Sequence, residues 1–446
     1  MFKILIMKIN RLKNKKILLL GFGREGLSSY KFLRRYVKNG LIGVADEKRL
    51  ADFEKQYQTV LTQDKKLSLH LGKNYLDSLE DYEVIIKTPG IKLDKKIAKA
   101  YGDTSKLTSN LNIFLANISG KVIGVTGSKG KSTSASLIYH IFRKAGRKVV
   151  LIGNIGRPAL DYLNWDSKHT IFVVEMSSYQ LDTLNQKKID SALITAFFPE
   201  HLDYHGNSHK YFQAKMNIVR NLKKNGVMVY NRKYKKIKRF IDNQRVKNIG
   251  YLYNSIGAYC HTPLLGKHNR ENIFGCIEIA KLFEVREAII NRTIKNFRGL
   301  PHRLENVGKF KGIRFYNDVL STTPESTIEA IDALKGKSLE TIILGGFDRG
   351  LDYKKLARKI VSSKVKNVIL WPHSGIKIYK EIRKLENSEI RLVQVKNMRE
   401  TVRACYKYTA KDGVALLSPA SSSYDFYKNF EEKGKEFNRL AMALGR

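Results

Sequence analysis

The sequence has few cysteines and no long apolar run. Its three cysteines, Cys260, Cys276 and Cys405, are scattered through 446 residues without metal-ligand spacing, so neither a disulfide framework nor a zinc site is predicted. No stretch approaches the roughly 20 uninterrupted apolar residues that a membrane-spanning helix needs. The amino-terminal region lacks the apolar core and cleavage site of a signal peptide. We therefore expect a cytoplasmic protein without a membrane span.

Acidic residues are also scarce, since 41 Asp and Glu stand against 82 Lys and Arg, a net charge of +41. Such an excess can indicate a protein that binds nucleic acid. Here the lysines are spread along the whole chain without a basic tail. Ile, Asn and Tyr are abundant too, and their codons, like those of lysine, are A/T-rich. Genome composition therefore explains most of the charge, and we expect no nucleic-acid partner.

Short apolar runs alternate with helical patterns along most of the chain. This alternation predicts α/β domains in which parallel sheets are covered by helices. Breaks near residues 107–112 and 298–301 predict three domains, at residues 1–110, 111–299 and 300–446. The runs predicted to contain strands are KKILLLGFG, LIGVAD, VIIKTPG, KVIGVTG, KVVLIGN, TIFVVEMSS, ALITAFF, GVMVYN, TIILGGFD, NVILWP and GVALLSPA.

The strongest local pattern is KVIGVTGSKGKST at residues 121–133, where an apolar strand passes through a glycine-rich turn into a helix. Glycines let backbone amides approach a polyphosphate, and the amino terminus of a helix favours its negative charge. Lys131 can reach the terminal phosphates, and a hydroxyl can hold Mg²⁺. The strict G-x-x-x-x-G-K spacing is not met because Lys129 takes the place of a glycine. The variant T-G-x-x-G-K-S-T still predicts a site for nucleotide phosphates.

A second glycine-rich turn follows the first predicted strand. Gly21, Gly23 and Gly26 fit G-x-G-x-x-G, and Asp46 follows Gly26 by 20 residues. This spacing is typical of a dinucleotide site, but it suits any nucleoside diphosphate bound at a helix amino terminus. Because a triphosphate loop lies downstream, a second nucleotide-like ligand is favoured over a redox cofactor.

Titratable side chains follow two further strands. Glu175 closes the strand TIFVVE, where a Mg²⁺ ligand or a water-orienting group belongs. The segment AFFPEHLDYHGNSH carries His201, Asp203, His205 and His209, and spacing alone does not decide which of them binds metal.

Lys215 stands in a predicted helix from Ser208 to Leu222. The helical spacing of Tyr211, Ala214, Lys215, Ile218 and Leu222 puts all five residues on one inward face. A lysine on that face needs a partner, unless its side chain reaches the edge.

In their order these motifs resemble the Mur ligases, the ATP-dependent amide-forming enzymes of peptidoglycan precursor synthesis. The resemblance covers residues 16–444 and is greatest to the ligases that add D-glutamate to UDP-N-acetylmuramoyl-L-alanine. The motifs that carry it are GFGREGLS, TPGI, VTGSKGKST, GNIGRPAL, EMSSYQLD, EHLDYHG, GKHNRENI, LPHRLENV, YND, LGGFDRGLD and LSPASSSYDFYKNFEEKG.

The resemblance implies an α/β protein of three domains. These are a Rossmann-like UDP-binding domain, a central P-loop-type ATPase domain and a C-terminal Rossmann-like amino-acid-binding domain. It also implies ATP and two Mg²⁺ ions as cofactors, UDP-N-acetylmuramoyl-L-alanine and D-glutamate as substrates, and a monomer. ATP would first phosphorylate the alanyl carboxylate, and an amine would then attack the acyl phosphate.

The same resemblance implies roles for individual residues. Lys131, His201 and Lys215 match catalytic positions, and Lys215 matches the family's carbamylated lysine. The positions that match ATP-binding residues are Gly127, Ser128, Lys129, Gly130, Lys131, Ser132, Thr133, Asn269, Asn272, Arg303 and Asp318. Those that match the UDP-sugar site are Arg24, Glu25, Asp46, Thr88, Gly90 and Asn154. Those expected to hold metal are Ser132, Glu175, His201 and Lys215.

The amino-acid site departs from the family pattern. The family's N-D-S-K-A-T reads NDVLST at residues 317–322, so Leu320 replaces a lysine that would face the glutamate carboxylates. We expect Arg349 to compensate for this lost cation. The positions that match amino-acid contacts are Thr322, Arg349, Ser423 and Phe430.

Three alternatives remain open. The chain could be a ligase of the same architecture that adds a different amino acid or acts as a folylpolyglutamate synthetase. It could be a nicotinamide-dependent oxidoreductase built on the first glycine-rich turn, which leaves the second turn unexplained. It could also be a basic ATPase that binds nucleic acid. DNA binding with a steep salt dependence would indicate this class.

Overall fold

The computed structural model describes residues 8–37, 40–92, 106–244, 246–252, 262–385, 389–423 and 426–445. The chain forms two compact units, the first comprising residues 1–259 and 271–294 and the second comprising residues 260–270 and 295–446. The domain boundaries placed after residues 110 and 299 stay a prediction. Cys260 lies outside the described residues, whereas Cys276 and Cys405 are buried free thiols. Within the described ranges, no helix has the length and apolarity required to cross a membrane.

The first sheet is parallel throughout, with the strand order β3-β2-β1-β4-β5. Side chains of its central strand alternate between two cores, as expected for a strand buried on both faces. The strands are β1 (Ile17–Leu20), β2 (Ile42–Asp46), β3 (Leu67–Leu71), β4 (Val84–Lys87) and β5 (Leu107–Thr108). The helices along this part of the chain are α1 (Arg24–Tyr36) and α2 (Lys55–Gln63).

The second sheet is also parallel, in the order β11-β10-β9-β6-β8-β7, so the carboxyl ends of its strands meet at one edge. Its strands are β6 (Lys121–Thr126), β7 (Val149–Gly153), β8 (Ile171–Glu175), β9 (Ile189–Ile194), β10 (Leu222–Asn231) and β11 (Lys247–Tyr251). The helices in this stretch are α3 (Asn110–Asn117), α4 (Lys131–Lys144), α5 (Ser178–Asp182), α6 (Leu202–His205), α7 (Ser208–Arg220), α8 (Lys235–Gln244), α9 (Lys267–Leu282) and α10 (Glu287–Asn296).

The third sheet, in the order β12-β13-β17-β14-β15-β16, corrects the expectation of purely parallel sheets. β12 and β13 form an antiparallel hairpin across Lys311 and Gly312, whose positive φ angles of 46° and 83° suit a tight two-residue turn. The strands are β12 (Glu305–Phe310), β13 (Ile313–Asn317), β14 (Leu339–Gly346), β15 (Asn367–His373), β16 (Arg391–Gln394) and β17 (Val414–Leu417). The helices are α11 (Pro324–Ala333), α12 (Lys354–Val361), α13 (Ser374–Arg383), α14 (Met398–Tyr408) and α15 (Phe430–Leu444).

Every run predicted as a strand contains one, and the α/β class is confirmed. The strands that sequence reasoning missed are β3, β5, β11, β12, β13 and β16. All of these except β13 lie at sheet edges. Edge strands are partly exposed and carry polar side chains, so they lack the continuous apolar run that marks a buried strand.

Candidate active site

The glycine-rich turn between β6 and α4 has a backbone that requires glycine at two positions. Gly127 has φ 145° and Gly130 has φ 85°, both in the region that favours glycine. A Cβ on Gly127 would lie 2.1 Å from Thr195 Oγ1, and one on Gly130 would lie 2.3 Å from Asn272 Nδ2. The backbone therefore passes so close to two polar side chains that a larger residue would not fit at either position.

The turn is held by the segment that follows β9. The Ser128 amide donates to the Ala196 carbonyl at 2.7 Å, and the Ser128 hydroxyl donates to the Phe198 carbonyl at 2.7 Å. Lys129 forms an ion pair with Glu200 at 3.0 Å. These contacts hold the turn in place without a ligand, which lowers the cost of binding phosphate there.

Lys131 begins α4 and folds back over the turn, where its Nζ donates to the Ser128 carbonyl at 2.8 Å. Ser132 and Thr133 follow in the first helical turn, with Ser132 partly exposed and Thr133 buried. A lysine and hydroxyl groups thus share the helix amino terminus, where the partial positive charge of the helix favours an anion.

Glu175, at the carboxyl end of β8, is a fully buried carboxylate. Its Oε1 accepts a hydrogen bond from Asn154 Nδ2 at 2.9 Å. Its Oε2 accepts none from the residues that the structure describes. A buried carboxylate oxygen without a partner is costly, so this atom suits a cation such as Mg²⁺.

Lys215 faces the phosphate turn from α7. Only 1% of its surface is exposed, and its Nζ donates to the Gly127 carbonyl at 2.8 Å. Burial, together with the charge of Lys131, holds the pKa of Lys215 well below its usual value, although Glu200 and Glu175 oppose the shift. Burial therefore disfavours the charged form of this amine.

The inward stripe expected around Lys215 is present, because all five of its residues are buried. The predicted length of this helix was wrong, however. α7 ends at Arg220, and Leu222 already begins β10. Asn221 caps the helix with its amide, and its side chain reaches the Leu184 carbonyl at 3.1 Å.

The structure separates the histidines that spacing left undecided. His201 is exposed, has φ 54° and precedes α6, with its ring 5.0 Å from that of Tyr179. Burial lowers the pKa of His201, and the charges of Lys131 and Lys215 add to this effect. His205 turns inward instead.

The His205 ring is bonded through Nε2 to Ser178 Oγ at 3.0 Å, and burial lowers the pKa of His205 to about 4. Asp203 and His209 are exposed on α6 and α7. The contacts therefore favour His201 as the histidine available to a ligand, and they give His205 a structural role.

No group of three His, Cys, Asp or Glu side chains that could hold a metal ion occurs among the described residues. The expected donors Glu175, His201 and Ser132 therefore fit Mg²⁺ only with further oxygen donors. Phosphate oxygens of a nucleotide are such donors, and a carboxylated Lys215 would add another.

In the first glycine-rich turn, the predicted site residue Asp46 forms hydrogen bonds within the protein. The Asp46 carboxylate accepts hydrogen bonds from the backbone amides of Phe22 at 2.7 Å and Lys48 at 3.0 Å. A Cβ on Gly21 would lie 2.1 Å from Thr88 Oγ1, whereas one on Gly90 would meet nothing within 4 Å. Asp46 therefore shapes the turn, and open space lies beside Gly90.

Arg24 and Glu25 open α1 close to the second sheet. Arg24 donates to the Asn154 carbonyl at 3.4 Å, and Glu25 Oε1 accepts from Gln180 Nε2 at 2.7 Å. Burial raises the pKa of Glu25. Within the first compact unit, the predicted UDP-sugar residues thus reach Asn154 and the neighbourhood of Glu175. Sequence reasoning gave Gln180 no role of its own, since its partner lies 155 positions away.

The remaining predicted ATP-binding residues are divided between the two units. Asn272 lies beside Gly130 in the first unit. In the second unit, Asn269 donates to the Leu265 carbonyl at 2.7 Å, and Arg303 is exposed. Asp318 is buried, and it belongs to the second unit as well.

Asp318 is surrounded by hydrogen-bond donors. It accepts from the Leu304 amide at 3.1 Å, from Ser321 Oγ at 2.6 Å and from Ser418 Oγ at 3.0 Å. Burial nevertheless raises the pKa of Asp318 to about 6. This carboxylate fastens β13 to the loop before β12 and to the end of β17.

The predicted amino-acid contacts lie in the second unit. Thr322 is partly buried and Arg349 is exposed in the loop after β14. Ser423 is 5% exposed, and its hydroxyl has no hydrogen-bond partner among the described residues. The Phe430 ring lies 6.4 Å from the His302 ring. The His302 carbonyl accepts a hydrogen bond from the Leu320 amide at 3.4 Å.

A glycine-rich strand-turn-helix unit, a buried carboxylate and a buried lysine thus meet at the carboxyl edge of one parallel sheet. Together with the α/β fold, these features define a nucleotide-dependent enzyme that handles phosphoryl groups. Residues 125–258 match the family model of the Mur ligase middle domain.

Relatives match over nearly the whole chain. The UDP-N-acetylmuramoylalanine--D-glutamate ligase of Caldicellulosiruptor saccharolyticus is 31% identical, with 96% of this chain and 99% of the relative covered. The protein of the same name from Acetivibrio thermocellus is 30% identical, with 97% of both chains covered. The chain therefore belongs to the Mur ligase family, the ATP-dependent, Mg²⁺-using ligases of peptidoglycan biosynthesis.

Solved structures agree on the fold. The UDP-N-acetylmuramate-alanine ligase of Thermotoga maritima has a TM-score of 0.60 at 16% identity, covering 96% of this chain and 100% of that one. The MurF ligase of Thermotoga maritima, solved in complex with ADP, has a TM-score of 0.59 at 15% identity, covering 99% and 98%.

Proposed function

We propose that this enzyme joins D-glutamate to UDP-N-acetylmuramoyl-L-alanine, with conversion of ATP to ADP and phosphate. The observation that carries the ligase chemistry is the meeting of the turn at residues 127–133 with Glu175 and Lys215. The choice of D-glutamate is supported by the full-length relatives, which bear that name. In this proposal the enzyme acts in the cytoplasm as a monomer, where ATP and UDP-linked precursors are available.

In the first step, a carboxylate oxygen of the alanyl group attacks the γ-phosphorus of ATP, the bond to the β-phosphate oxygen breaks, and ADP leaves. Lys131 and the turn at residues 127–133, through its backbone amides other than that of Ser128, would hold the terminal phosphates during this step. Glu175, His201, Ser132 and a carboxylated Lys215 would hold two Mg²⁺ ions, which supply positive charge against the phosphate oxygens.

In the second step, the amine of D-glutamate attacks the carbonyl carbon of the acyl phosphate. The new C–N bond forms, phosphate leaves, and the amine loses its proton. Asn154, which lies beside Glu175 and contacts Arg24, would orient the alanyl end of the UDP-linked substrate. Arg24, Glu25, Thr88 and Gly90 would hold the UDP-sugar, and Asp46 would shape their turn.

The experiment that tests the proposal measures phosphate release from ATP and Mg²⁺ with UDP-N-acetylmuramoyl-L-alanine. The amine donors to compare are D-glutamate, L-glutamate, D-isoglutamine and meso-diaminopimelate, with a Lys131→Met variant as the control for contaminating ATPase. We expect release that depends on D-glutamate. Release with another amine alone would show a different Mur ligase specificity, and no release with any amine would contradict the UDP-linked acceptor.

The departure at Leu320 needs its own test. If Arg349 supplies the cation for the glutamate carboxylates, Arg349→Ala should raise the KM for D-glutamate about tenfold or more. Leu320→Lys should lower that KM, because it restores the cation that the family has at this position. An unaltered KM in Leu320→Lys would count against a lost contact at this position.

A further inference from the structure

The turn that follows β4 contacts the segment that carries His201, and both belong to the first compact unit. The Tyr204 hydroxyl donates to the Ile91 carbonyl at 3.1 Å and accepts from Lys87 Nζ at 3.4 Å. Lys92 Nζ donates to the Asp203 carbonyl at 3.1 Å. Three hydrogen bonds therefore join the ends of the Thr88-Pro-Gly90 turn to α6.

Lys87 strengthens this connection because it is buried, with 2% of its surface exposed. Its Nζ also donates to the Thr88 carbonyl at 3.1 Å. The carboxylates of Asp182 and Glu25 lie near enough to favour its charged form, although burial lowers the pKa of Lys87 to about 8. This buried ammonium group therefore has both the Thr88 carbonyl and the Tyr204 hydroxyl as acceptors, which adds a second link between the turn and α6.

Tyr204 is in turn coupled to His201 through rings and backbone. The Tyr204 ring packs edge-on against Tyr179 at 4.5 Å, and the Tyr179 ring lies 5.0 Å from that of His201. The His201 carbonyl accepts from the amides of Tyr204 at 3.2 Å and His205 at 3.0 Å. His201 and Tyr204 therefore belong to one small packed unit, and a restraint on Tyr204 restrains His201.

We propose that Tyr204 is a positioning residue that couples binding of the UDP-linked substrate at residues 88–91 to the placement of His201. This inference rests on the proposed function, in which the turn holds the UDP-sugar and His201 acts at the phosphates. A ligand that restrains the turn also restrains the Ile91 carbonyl. Because the Tyr204 hydroxyl is bonded to that carbonyl, α6 is restrained as well. ATP is then used efficiently only when its acceptor is present.

Hydrogen exchange of the backbone amides tests the coupling directly. The full-length protein is compared with Tyr204→Phe, which keeps the ring contacts and removes only the hydroxyl. The matched control is Tyr82→Phe, which removes a hydroxyl bonded to His70 Nε2 at 2.8 Å in the same unit. Exchange is followed at residues 88–91 and 201–205, with and without UDP-N-acetylmuramoyl-L-alanine and in the absence of ATP.

In the wild type and in Tyr82→Phe we expect the substrate to slow exchange about tenfold in both segments. In Tyr204→Phe it should slow residues 88–91 as before and residues 201–205 by less than about twofold. The kcat for phosphate release should fall about tenfold in Tyr204→Phe, with the KM for ATP within about twofold of wild type.

Equal protection of residues 201–205 in wild type and Tyr204→Phe would overturn the coupling and leave the proposed function intact. A raised KM for ATP with an unchanged kcat would overturn it as well, because Tyr204 would then serve ATP binding itself. If the substrate protects residues 88–91 in none of the three proteins, the UDP-sugar site and the coupling are both wrong, whereas D-glutamate-dependent phosphate release decides the proposed function separately.

Discussion

Replacing Glu175 with glutamine should stabilise the protein in the absence of metal. The carboxylate is fully buried, and one of its oxygens accepts no hydrogen bond among the described residues. A buried acceptor without a partner costs about 1–3 kcal/mol. Glutamine retains an oxygen for the Asn154 amide and removes the charge, but it puts an unpaired amide N–H group in place of the unpaired oxygen, so the free energy of unfolding should rise by only about 1 kcal/mol.

Mg²⁺ should reverse the order of stability, so that the wild type becomes more stable than Glu175→Gln. A ligand present at about 100 times its Kd stabilises the native state by about 2.7 kcal/mol. At about 1–2 °C per kcal/mol for a protein of this size, the wild-type Tm should then rise by roughly 3–5 °C. Glu175→Gln lacks the carboxylate that would hold the ion, so its Tm should rise much less.

Thermal unfolding in EDTA and in Mg²⁺ with a non-hydrolysable ATP analogue measures both effects. The exposed Glu80→Gln substitution is the matched control and should change neither Tm. Two results would refute the reasoning. One is a Glu175→Gln variant that is less stable than wild type in EDTA, and the other is a full Mg²⁺-dependent shift in that variant.

Gly127→Ala should destabilise the protein by about 3 kcal/mol or more and raise the KM for ATP, because its Cβ would lie 2.1 Å from Thr195 Oγ1. Gly206→Ala, at φ 80° with nothing within 4 Å, should cost only about 1 kcal/mol, and equal losses in urea titrations would contradict the steric argument. Burial lowers the pKa of the Lys215 amine, which favours reaction of the amine with CO₂, so native mass spectrometry in bicarbonate should show one CO₂ adduct. Lys215→Arg should lack it and lose about 100-fold in ligase activity, whereas an adduct that survives the substitution would assign it elsewhere. Asp318 keeps its proton in the native state up to about pH 6, against an ordinary pKa of 3.8. Its contribution to the free energy of unfolding should therefore fall by about 3 kcal/mol as pH rises from about 4 to 7, a loss that Asp318→Asn should not show in denaturant titrations.

Strands were predictable where both faces are buried. β6, β8 and β9 consist almost entirely of buried residues, and their apolar runs mark them in the sequence. β3 and β16 lie at edges with mostly partly exposed residues, so their sequences resemble loops. The β12–β13 hairpin was missed because its Lys-Gly turn is a weaker signal than Asn-Gly.

In the candidate site, the parts that are local in sequence were predictable. The turn at residues 127–133 carries its glycines, lysine and hydroxyls in one stretch, and the backbone of each glycine follows from its lack of a side chain. Gln180 and Tyr204 were not given roles, because their partners lie more than a hundred positions away. Spacing does not distinguish His201 from His205 within the 201–209 segment. The tertiary structure does, because His205 is hydrogen-bonded to Ser178.

The sequence by itself determined the strand-turn-helix units and the inward face that includes Lys215, since these depend on neighbours within a few turns of backbone. The tertiary structure alone decided that burial lowers the pKa of the Lys215 amine and that one Glu175 oxygen lies buried without a hydrogen-bond partner among the described residues. Both properties depend on how much water and charge surrounds an atom. That surrounding is built from β6, β8, α4 and α7, which come together only when the sheet forms.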